Sequence, residues 1–346
     1  MLNKVAARLK TVFRVLLSGD ETKLLRGNIP ELTPEEILEV KEFFPMPKFF
    51  IFGHARSGTT LLARLIRLHP DIHCNWQAHF FTREPTLYSL VADPEVKEWL
   101  SARSNRWNRG GDLSALVMRA SSDFILESEA RRLGKSVVGD KSPNNQLKGK
   151  SVSLLHGIYP DAKLIFIVRD GRDTVLSHRF QGFIDFPNRL KKRDLRIRED
   201  FIEDPGSFLK ENQSIFSPGQ LMNEMKRWVE NLEETDCVAD DLFGSAYLRL
   251  RYEDLLSDSV NTLEKVWSFL GFSEIDPKLK EAVISEMIRN PDKEWQKEQA
   301  NEMTINIQKG KSGSWKDFFS EQDRLLAKQI AGETLIEWGY EKDLEW

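Results

Sequence analysis

Residues 48–60 read Lys48-Phe49-Phe50-Ile51-Phe52-Gly53-His54-Ala55-Arg56-Ser57-Gly58-Thr59-Thr60, and this stretch decides the fold of the chain. Its apolar first part predicts a buried strand, and residues 53–60 have the spacing of a phosphate-binding P-loop, G-x-x-x-x-G-K followed by Ser or Thr. Thr59 stands where that lysine belongs, and Arg56 supplies a cation earlier in the loop. Backbone N–H groups of such a loop surround a phosphate at a helix N-terminus. Because the lysine that reaches the β- and γ-phosphates is missing, the sequence predicts a phosphorylated nucleotide other than ATP or GTP with magnesium.

Composition sets the broad class of the chain. With 346 residues, 40% hydrophobic and 30% charged, it is long enough for one large α/β domain or two smaller ones. A net charge of −4 gives no reason to expect nucleic-acid binding. Cys74 and Cys237 are its only cysteines, which excludes a disulfide framework and a cysteine-rich zinc site. We expect no metal, and the low cysteine content favours a reducing, cytoplasmic location.

The first 17 residues form a basic amphipathic pattern. Apolar side chains recur at helical spacing from Leu2 to Leu16, with lysines and arginines between them and no acid before Asp20. We expect either a helix packed on the domain or peripheral membrane contact. Residues 1–47 are therefore predicted to lead into one domain, 48–346, and the charged stretch 183–220 is predicted to be a long loop or lid.

Strands and helices alternate along most of the chain. Strands are predicted at 48–52, 135–138, 164–168 and 246–251, and helices near 33, at 59–68, at 113–133 and after 251. This alternation predicts a central parallel sheet flanked by helices, the α/β class. Ligands of such sheets lie at the carboxyl ends of the strands. The P-loop and the motifs that begin at Gly139, Arg169 and Tyr252 each follow a predicted strand, so the pattern predicts one shared site.

Two further motifs have the composition of anion sites. Arg169 ends a continuous apolar run, and Ser177 lies eight residues later on the next predicted helix. A strand-end guanidinium and a helix hydroxyl can converge on one phosphate, although Arg169 could instead pair with a nearby aspartate. The second motif, Lys309-Gly310-Lys311-Ser312, is either an anion-binding loop or a solvated one.

Candidate proton-transfer groups lie between these motifs. Asp140 and Lys141 end a predicted strand, where Lys141 would stabilise a leaving oxygen and Asp140 would orient it or act as a base. The alternative is a surface ion pair. His79 lies among aromatic residues shortly after the P-loop helix, and it is either a base or a hydrogen-bonded core histidine.

The order of these motifs resembles that of the sulfotransferases that use 3′-phosphoadenosine 5′-phosphosulfate (PAPS). Residues 54–60 resemble the family's 5′-phosphosulfate loop, and residues 167–177 resemble its 3′-phosphate motif, including the spacing from Arg169 to Ser177. Residues 251–255 and 309–313 resemble later segments that contact the nucleotide. The matches extend from residue 48 to about 315, most of the chain, and imply a P-loop NTPase-like sulfotransferase fold.

The resemblance also implies the chemistry, which is transfer of a sulfuryl group from PAPS to an acceptor hydroxyl or amine without a metal. By position, Arg56 and Lys141 match cations near the transferring group, and Tyr252 matches a residue near the adenosine. The other implied donor-binding residues are Ala55, Ser57, Gly58, Thr59, Thr60, Arg169, Ser177, Lys309, Gly310, Lys311 and Ser312. Asp140-Lys141-Ser142-Pro143 and His79 resemble the heparan-sulfate-type branch.

The general base departs from the family pattern. That branch has a glutamate where this chain has Gln77, and a neutral amide cannot accept the acceptor's proton. The branch that sulfates small molecules has a Lys-x-His base, which Ser142-Pro143 after Lys141 rules out. The base is therefore His79, Asp140 or an unidentified residue.

Two rival hypotheses remain at this point, a small-molecule or nucleoside kinase and a catalytically silent nucleotide-binding protein. The acceptor, whether small molecule, glycan or lipid, and the oligomeric state are open.

Overall fold

The computed structural model describes residues 29–83, 85–273, 276–289 and 312–346. Three expectations fall outside these ranges: the amphipathic segment 1–17, most of the lead-in 1–47, and Lys309, Gly310 and Lys311 of the predicted anion loop.

A five-stranded parallel sheet forms the centre of the described structure, as the sequence predicts. In chain order its strands are β1 Lys48–Phe52, β2 Ile72–Trp76, β3 Val137–Lys141, β4 Lys163–Val168 and β5 Tyr247–Arg251. Their spatial order is β2-β3-β1-β4-β5, so β1 lies between β3 and β4. The P-loop that follows β1 is therefore flanked by the chain segments that leave β3 and β4.

Helices cover both faces of this sheet. In chain order the α-helices are α1 Pro34–Phe43, α2 Thr59–Ile66, α3 Thr86–Val91, α4 Pro94–Ser101, α5 Ser114–Arg132, α6 Gly149–Ile158, α7 Gly171–Asp185, α8 Lys192–Glu203, α9 Pro205–Lys210, α10 Gln220–Phe243, α11 Tyr252–Ser257, α12 Ser259–Leu270, α13 Pro277–Arg289, α14 Trp315–Phe318 and α15 Glu321–Glu337. The predicted start of α1 is confirmed, because Thr33 and Glu36 form a reciprocal capping box there.

Alternate residues of β1 enter two separate hydrophobic cores. Phe50 and Phe52 belong to the larger core, and Phe49 and Ile51 belong to the smaller one on the opposite face. Successive side chains of a strand point to opposite faces, so a strand covered on both sides is apolar throughout. The burial of all five residues of β1 is what fixes the position of the loop after Phe52.

Two local expectations differ from the structure. Strand β3 begins at Val137 rather than at 135, because the backbone N–H of Lys135 donates to the carbonyl of Ala130 and closes the preceding helix. Strand β2 was not predicted, since His73 and Asn75 interrupt its apolar pattern. Asn75 has partners in the fold, because its side-chain amide donates to the carbonyls of Leu126 and Gly139.

The prediction of a long loop at 183–220 is wrong, since most of this stretch is helical. It contains the end of α7, a 3₁₀ turn at Pro187–Arg189, α8 and α9. Phe201 and Phe208 are buried in the larger core with their ring centroids 5.5 Å apart, and Arg179 of α7 pairs with Asp194 at 2.9 Å. Long-range packing therefore orders a segment whose charged composition is typical of a loop.

Candidate functional site

The P-loop turns sharply between β1 and α2. Its turn is closed by the Ser57 N–H, which donates to the carbonyl of His54 at 3.0 Å. Arg56 and Gly58 both adopt positive φ, of 75° and 88°. Gly58 also meets the ring of Tyr252, because a Cβ there would lie 2.2 Å from Tyr252 Cδ2. Only glycine fits this position, so the ring is in contact with the loop that would hold a phosphate.

Two asparagines that sequence reasoning missed hold the loop from the β3 side. Gly53 N–H donates to Asn144 Oδ1 at 3.2 Å, and Ala55 N–H donates to Asn145 Oδ1 at 3.3 Å. The Asn144 N–H returns a bond to the carbonyl of Gly53 at 3.1 Å. The sequence signal for these residues was an asparagine pair directly after Ser142-Pro143, because asparagine side chains form hydrogen bonds with nearby backbone groups.

The end of β4 meets the same loop from the other side. Arg56 Nε donates to Ser177 Oγ of α7 at 3.2 Å, and Arg169 Nη1 donates to the carbonyl of Arg56 at 3.2 Å. The guanidinium of Arg169 also lies 4.9 Å from the ring centroid of Tyr252. Four predicted site residues, Arg56, Arg169, Ser177 and Tyr252, are thus brought together.

Lys141 at the end of β3 completes this cluster. Its ammonium donates to Thr60 Oγ1 in the first turn of α2 at 3.2 Å, and it lies 5.1 Å from the ring centroid of Trp76. The residue is buried, which lowers the pKa of its side chain, while Asp140 and Cys74 oppose that change. A buried cation beside the loop suits charge stabilisation in a site that excludes water.

Asp140 points into the protein and holds the segment after β2. Its Oδ1 accepts from the Ala78 N–H at 3.0 Å, and its Oδ2 accepts from the Ser142 hydroxyl at 2.6 Å. Burial raises its pKa to about 6, although the bonds from Ser142 and Ala78 act in the opposite direction. Because both oxygens are engaged within the fold, the geometry favours an anchoring role for this carboxylate over proton transfer.

His79 lies in the segment that Asp140 anchors. Its backbone N–H donates to Ser142 Oγ at 3.1 Å, and its Nδ1 lies 2.7 Å from Thr82 Oγ1. Burial lowers the pKa of its imidazole, and the charges of Arg83 and Lys141 lower it further. The ring is therefore neutral at physiological pH and is able to accept a proton. Gln77, two residues earlier, is exposed.

The remaining predicted residues lie around the loop. Thr59 is buried in the first turn of α2, and the buried hydroxyl oxygen of Ser57 has no hydrogen-bond partner among the described residues. Ser312 is exposed and precedes Gly313, whose N–H donates to Asp173 at the start of α7. No group of three or more potential metal ligands occurs within residues 29–83, 85–273, 276–289 and 312–346.

The comparison with protein families gives the class of the chain. The model of the sulfotransferase family matches residues 47–277, which include the P-loop, β3, β4 and Tyr252. The chain belongs to the sulfotransferase family.

Individual relatives share a shorter region. A protein-tyrosine sulfotransferase A from Caenorhabditis elegans is 33% identical over 135 residues, which are 38% of this chain and 32% of that protein. Human protein-tyrosine sulfotransferase 1 is 29% identical over 136 residues, which are 38% of this chain and 34% of that protein. The chain thus spans about a third of the length of these curated relatives.

Solved structures give more distant likenesses. Mouse sulfotransferase SULT7A1 complexed with PAP is 18% identical, with a TM-score of 0.45 over 88% of this chain and 90% of that one. A retinol dehydratase in complex with androsterone and inactive cofactor PAP is 16% identical, with a TM-score of 0.42 over 88% of each chain. Among the described residues, no helix has both the length and the apolar character of a membrane span.

Proposed function

We propose that this protein transfers a sulfuryl group from PAPS to an acceptor hydroxyl. The observation that carries the proposal is the contact between two strand ends, in which Arg56 of the P-loop bonds Ser177 and Arg169 bonds the Arg56 carbonyl. Two anion sites that touch can hold the two phosphates of one small nucleotide. PAPS is such a nucleotide, and family membership supports it as the donor.

The 5′ end of the donor fits the P-loop. The N–H groups of residues 58–60 at the N-terminus of α2 favour a phosphate, and the buried Ser57 hydroxyl can donate to it. The 3′-phosphate fits Arg169 and Ser177, and the ring of Tyr252 contacts both Arg169 and Gly58. The segment 309–311 would extend the 3′ site, as the sequence pattern predicts.

The reaction is an in-line displacement at sulfur. The acceptor oxygen forms a bond to sulfur while the bond from sulfur to the bridging phosphate oxygen breaks, and the 3′,5′-bisphosphate leaves. Negative charge develops on that bridging oxygen, so Arg56 and Lys141 beside the loop would stabilise it. Preorganised charge of this kind lowers a barrier by about 3 kcal/mol per group.

His79 is the proposed general base. Its lowered pKa keeps the imidazole neutral at pH 7, and its Nδ1 is placed by Thr82. The proton of the acceptor hydroxyl would pass to Nε2 as the bond to sulfur forms. Asp140 and Ser142 support this step by fixing the backbone of residues 78 and 79.

A tyrosine phenol is the first acceptor to test, because the curated relatives are protein-tyrosine sulfotransferases. Trp76, which is 43% exposed beside Lys141, offers an aromatic surface for such an acceptor.

The test supplies ³⁵S-labelled PAPS with tyrosine peptides, simple phenols, alcohols and glycans. Wild type is expected to label at least one acceptor, and Arg56→Ala is expected to label it far more slowly, whereas the exposed control Arg103→Ala keeps full activity. Tight binding of the 3′,5′-bisphosphate without label transfer to any acceptor would favour the silent nucleotide-binding hypothesis. Hydrolysis of ATP with magnesium but no label transfer would favour a kinase.

A further inference from the structure

Three carboxylates lie near Arg169 of the proposed 3′-phosphate site; Asp170 and Asp173 are buried and Glu253 is half-buried. Asp170 follows Arg169 directly, Asp173 lies in the first turn of α7, and Glu253 accepts the Asp170 N–H at 3.1 Å. Burial raises the pKa of both Asp173 and Glu253. A site meant for a phosphate dianion therefore contains several groups that would repel it, and their charge must be balanced within the protein.

Arg172 provides that balance. The residue is 1% exposed, and its guanidinium binds Asp170 through two contacts, Nε to Oδ1 at 3.0 Å and Nη2 to Oδ2 at 2.7 Å. Its Nη1 donates to Glu341 at 2.5 Å. A bidentate pair of this kind fixes the carboxylate in orientation as well as in charge.

Two tryptophans from outside the family-matched region enclose this guanidinium. The Arg172 Cζ lies 3.9 Å from the ring centroid of Trp315 and 4.3 Å from that of Trp346, and the two rings lie 5.6 Å apart. A desolvated cation between two indole rings is held more strongly than an exposed one. The family match ends at residue 277, so Trp315, Glu341 and Trp346 lie outside the matched region.

The same enclosure attaches residues 312–315 to the start of α7. Asp173 accepts from the Gly313 N–H at 2.6 Å and from the Trp315 N–H at 2.9 Å. Asp170 also accepts the Arg172 N–H at 2.9 Å as the N-cap of α7, the helix that carries Ser177. One cluster thus sets the start of α7, the charge beside Arg169 and the approach of Ser312.

We propose that Arg172, held by Trp315, Trp346 and Glu341, is a positioning residue that makes the site selective for a nucleotide with a 3′-phosphate. The proposal rests on the proposed function, because it assigns the 3′-phosphate to Arg169 and Ser177. When Arg172 loses its enclosure, Asp170 is no longer neutralised or fixed, and its charge weakens the attraction of Arg169 for the phosphate.

The test compares two nucleotides that differ in one phosphate. Calorimetry measures the affinities of wild type, Trp346→Ala and Trp346→Phe for adenosine 3′,5′-bisphosphate and for adenosine 5′-monophosphate. Trp346→Ala is expected to bind the bisphosphate about tenfold more weakly, because Asp170 then weakens the attraction of Arg169 for the 3′-phosphate, while its affinity for the monophosphate is unchanged. Trp346→Phe keeps an aromatic ring and is expected to recover most of the selectivity. Trp99→Ala, at a 61% exposed tryptophan on α4, is the matched control.

Steady-state kinetics supply a second test, because a merely structural role would not change KM for PAPS selectively. Trp346→Ala is expected to raise the KM for PAPS and to leave kcat unchanged, and Glu341→Gln is expected to act in the same direction if the tryptophan variant does not fold. Equal losses for both nucleotides, or no loss for either, would overturn the positioning role while leaving the proposed function intact. A wild type that binds the bisphosphate no better than the monophosphate would overturn the proposed function itself.

Discussion

Asp140→Asn separates an anchoring carboxylate from a catalytic base. The pKa of Asp140 is raised from its ordinary 3.8 to about 6, with burial as the main cause. At about 1.36 kcal/mol per pKa unit, this rise corresponds to about 3 kcal/mol of free energy. The folded protein binds the proton more tightly than the unfolded chain does. The associated stability is therefore fully present below pH 3.8 and is lost as the pH rises through about 6.

An asparagine at this position cannot ionise, so the variant escapes that loss. Its Oδ1 can still accept from the Ala78 N–H, and its amide group can donate to the Ser142 oxygen. Urea unfolding of both proteins across the acid and neutral range gives the difference in free energy of unfolding. We expect this difference to move in favour of Asp140→Asn by about 3 kcal/mol between low and neutral pH.

The control is an aspartate with the opposite perturbation. Burial opposes ionisation of Asp161, but its bond and charge pairing with Arg119 prevail and hold its pKa at about 2. The stabilisation that Asp161 contributes to the fold is present above pH 3.8 and is lost as the pH falls through about 2. Asp161→Asn is therefore expected to destabilise the protein most at neutral pH.

The activity of Asp140→Asn decides whether Asp140 anchors the backbone or acts as the base. If it anchors the segment at residue 78, Asp140→Asn keeps kcat close to that of wild type. A stability difference that does not change with pH would refute the burial argument. A collapse of kcat in a folded, more stable variant would refute the anchoring role and make Asp140 the base.

The remaining predictions concern the loop, the lysine and the histidine. Gly58→Ala is expected to displace Tyr252 and to abolish binding of the bisphosphate. The control Gly110→Ala has a similar φ of +79° with open space around it, and it should lose only about 1 kcal/mol of stability. Unimpaired binding by Gly58→Ala would contradict the close contact with Tyr252. Lys141→Ala is expected to lower kcat about 100-fold in the label-transfer assay. Lys150 is exposed, so Lys150→Ala should keep the kcat of wild type. Equal activities of the two variants would remove Lys141 from the mechanism. The value of kcat/KM is expected to fall as the pH drops through the lowered pKa of His79. His79→Gln should lose most activity, together with this acidic limb of the pH profile. An unchanged profile would exclude His79 as the base.

Local pattern was sufficient for the sheet centre and for the phosphate loop. Strand β1 is apolar because both its faces are covered, and the loop that follows needs Gly58 for its positive φ. Both requirements are met by residues that lie close together in the sequence. Arg169 and Ser177 were also predictable, since parallel strands end at one edge of a sheet and α7 begins there.

Features that depend on distant residues could not be predicted in the same way. Strand β2 has polar residues whose partners, such as the carbonyl of Leu126, lie far along the chain. Helices α8 and α9 form because Phe201 and Phe208 reach the larger core. The pattern Asp-Lys identified a site at the end of β3 but gave no sign that Asp140 faces inward, since Ala78 and Ser142 determine its orientation.

A crystal soaked with adenosine 3′,5′-bisphosphate tests the central claim most directly. We predict that the 5′-phosphate lies within hydrogen-bond distance of the N–H groups of residues 58–60, and that the 3′-phosphate contacts Arg169 and Ser177. A nucleotide bound with its 3′-phosphate remote from both side chains would contradict the claim that the ends of β1 and β4 hold one ligand.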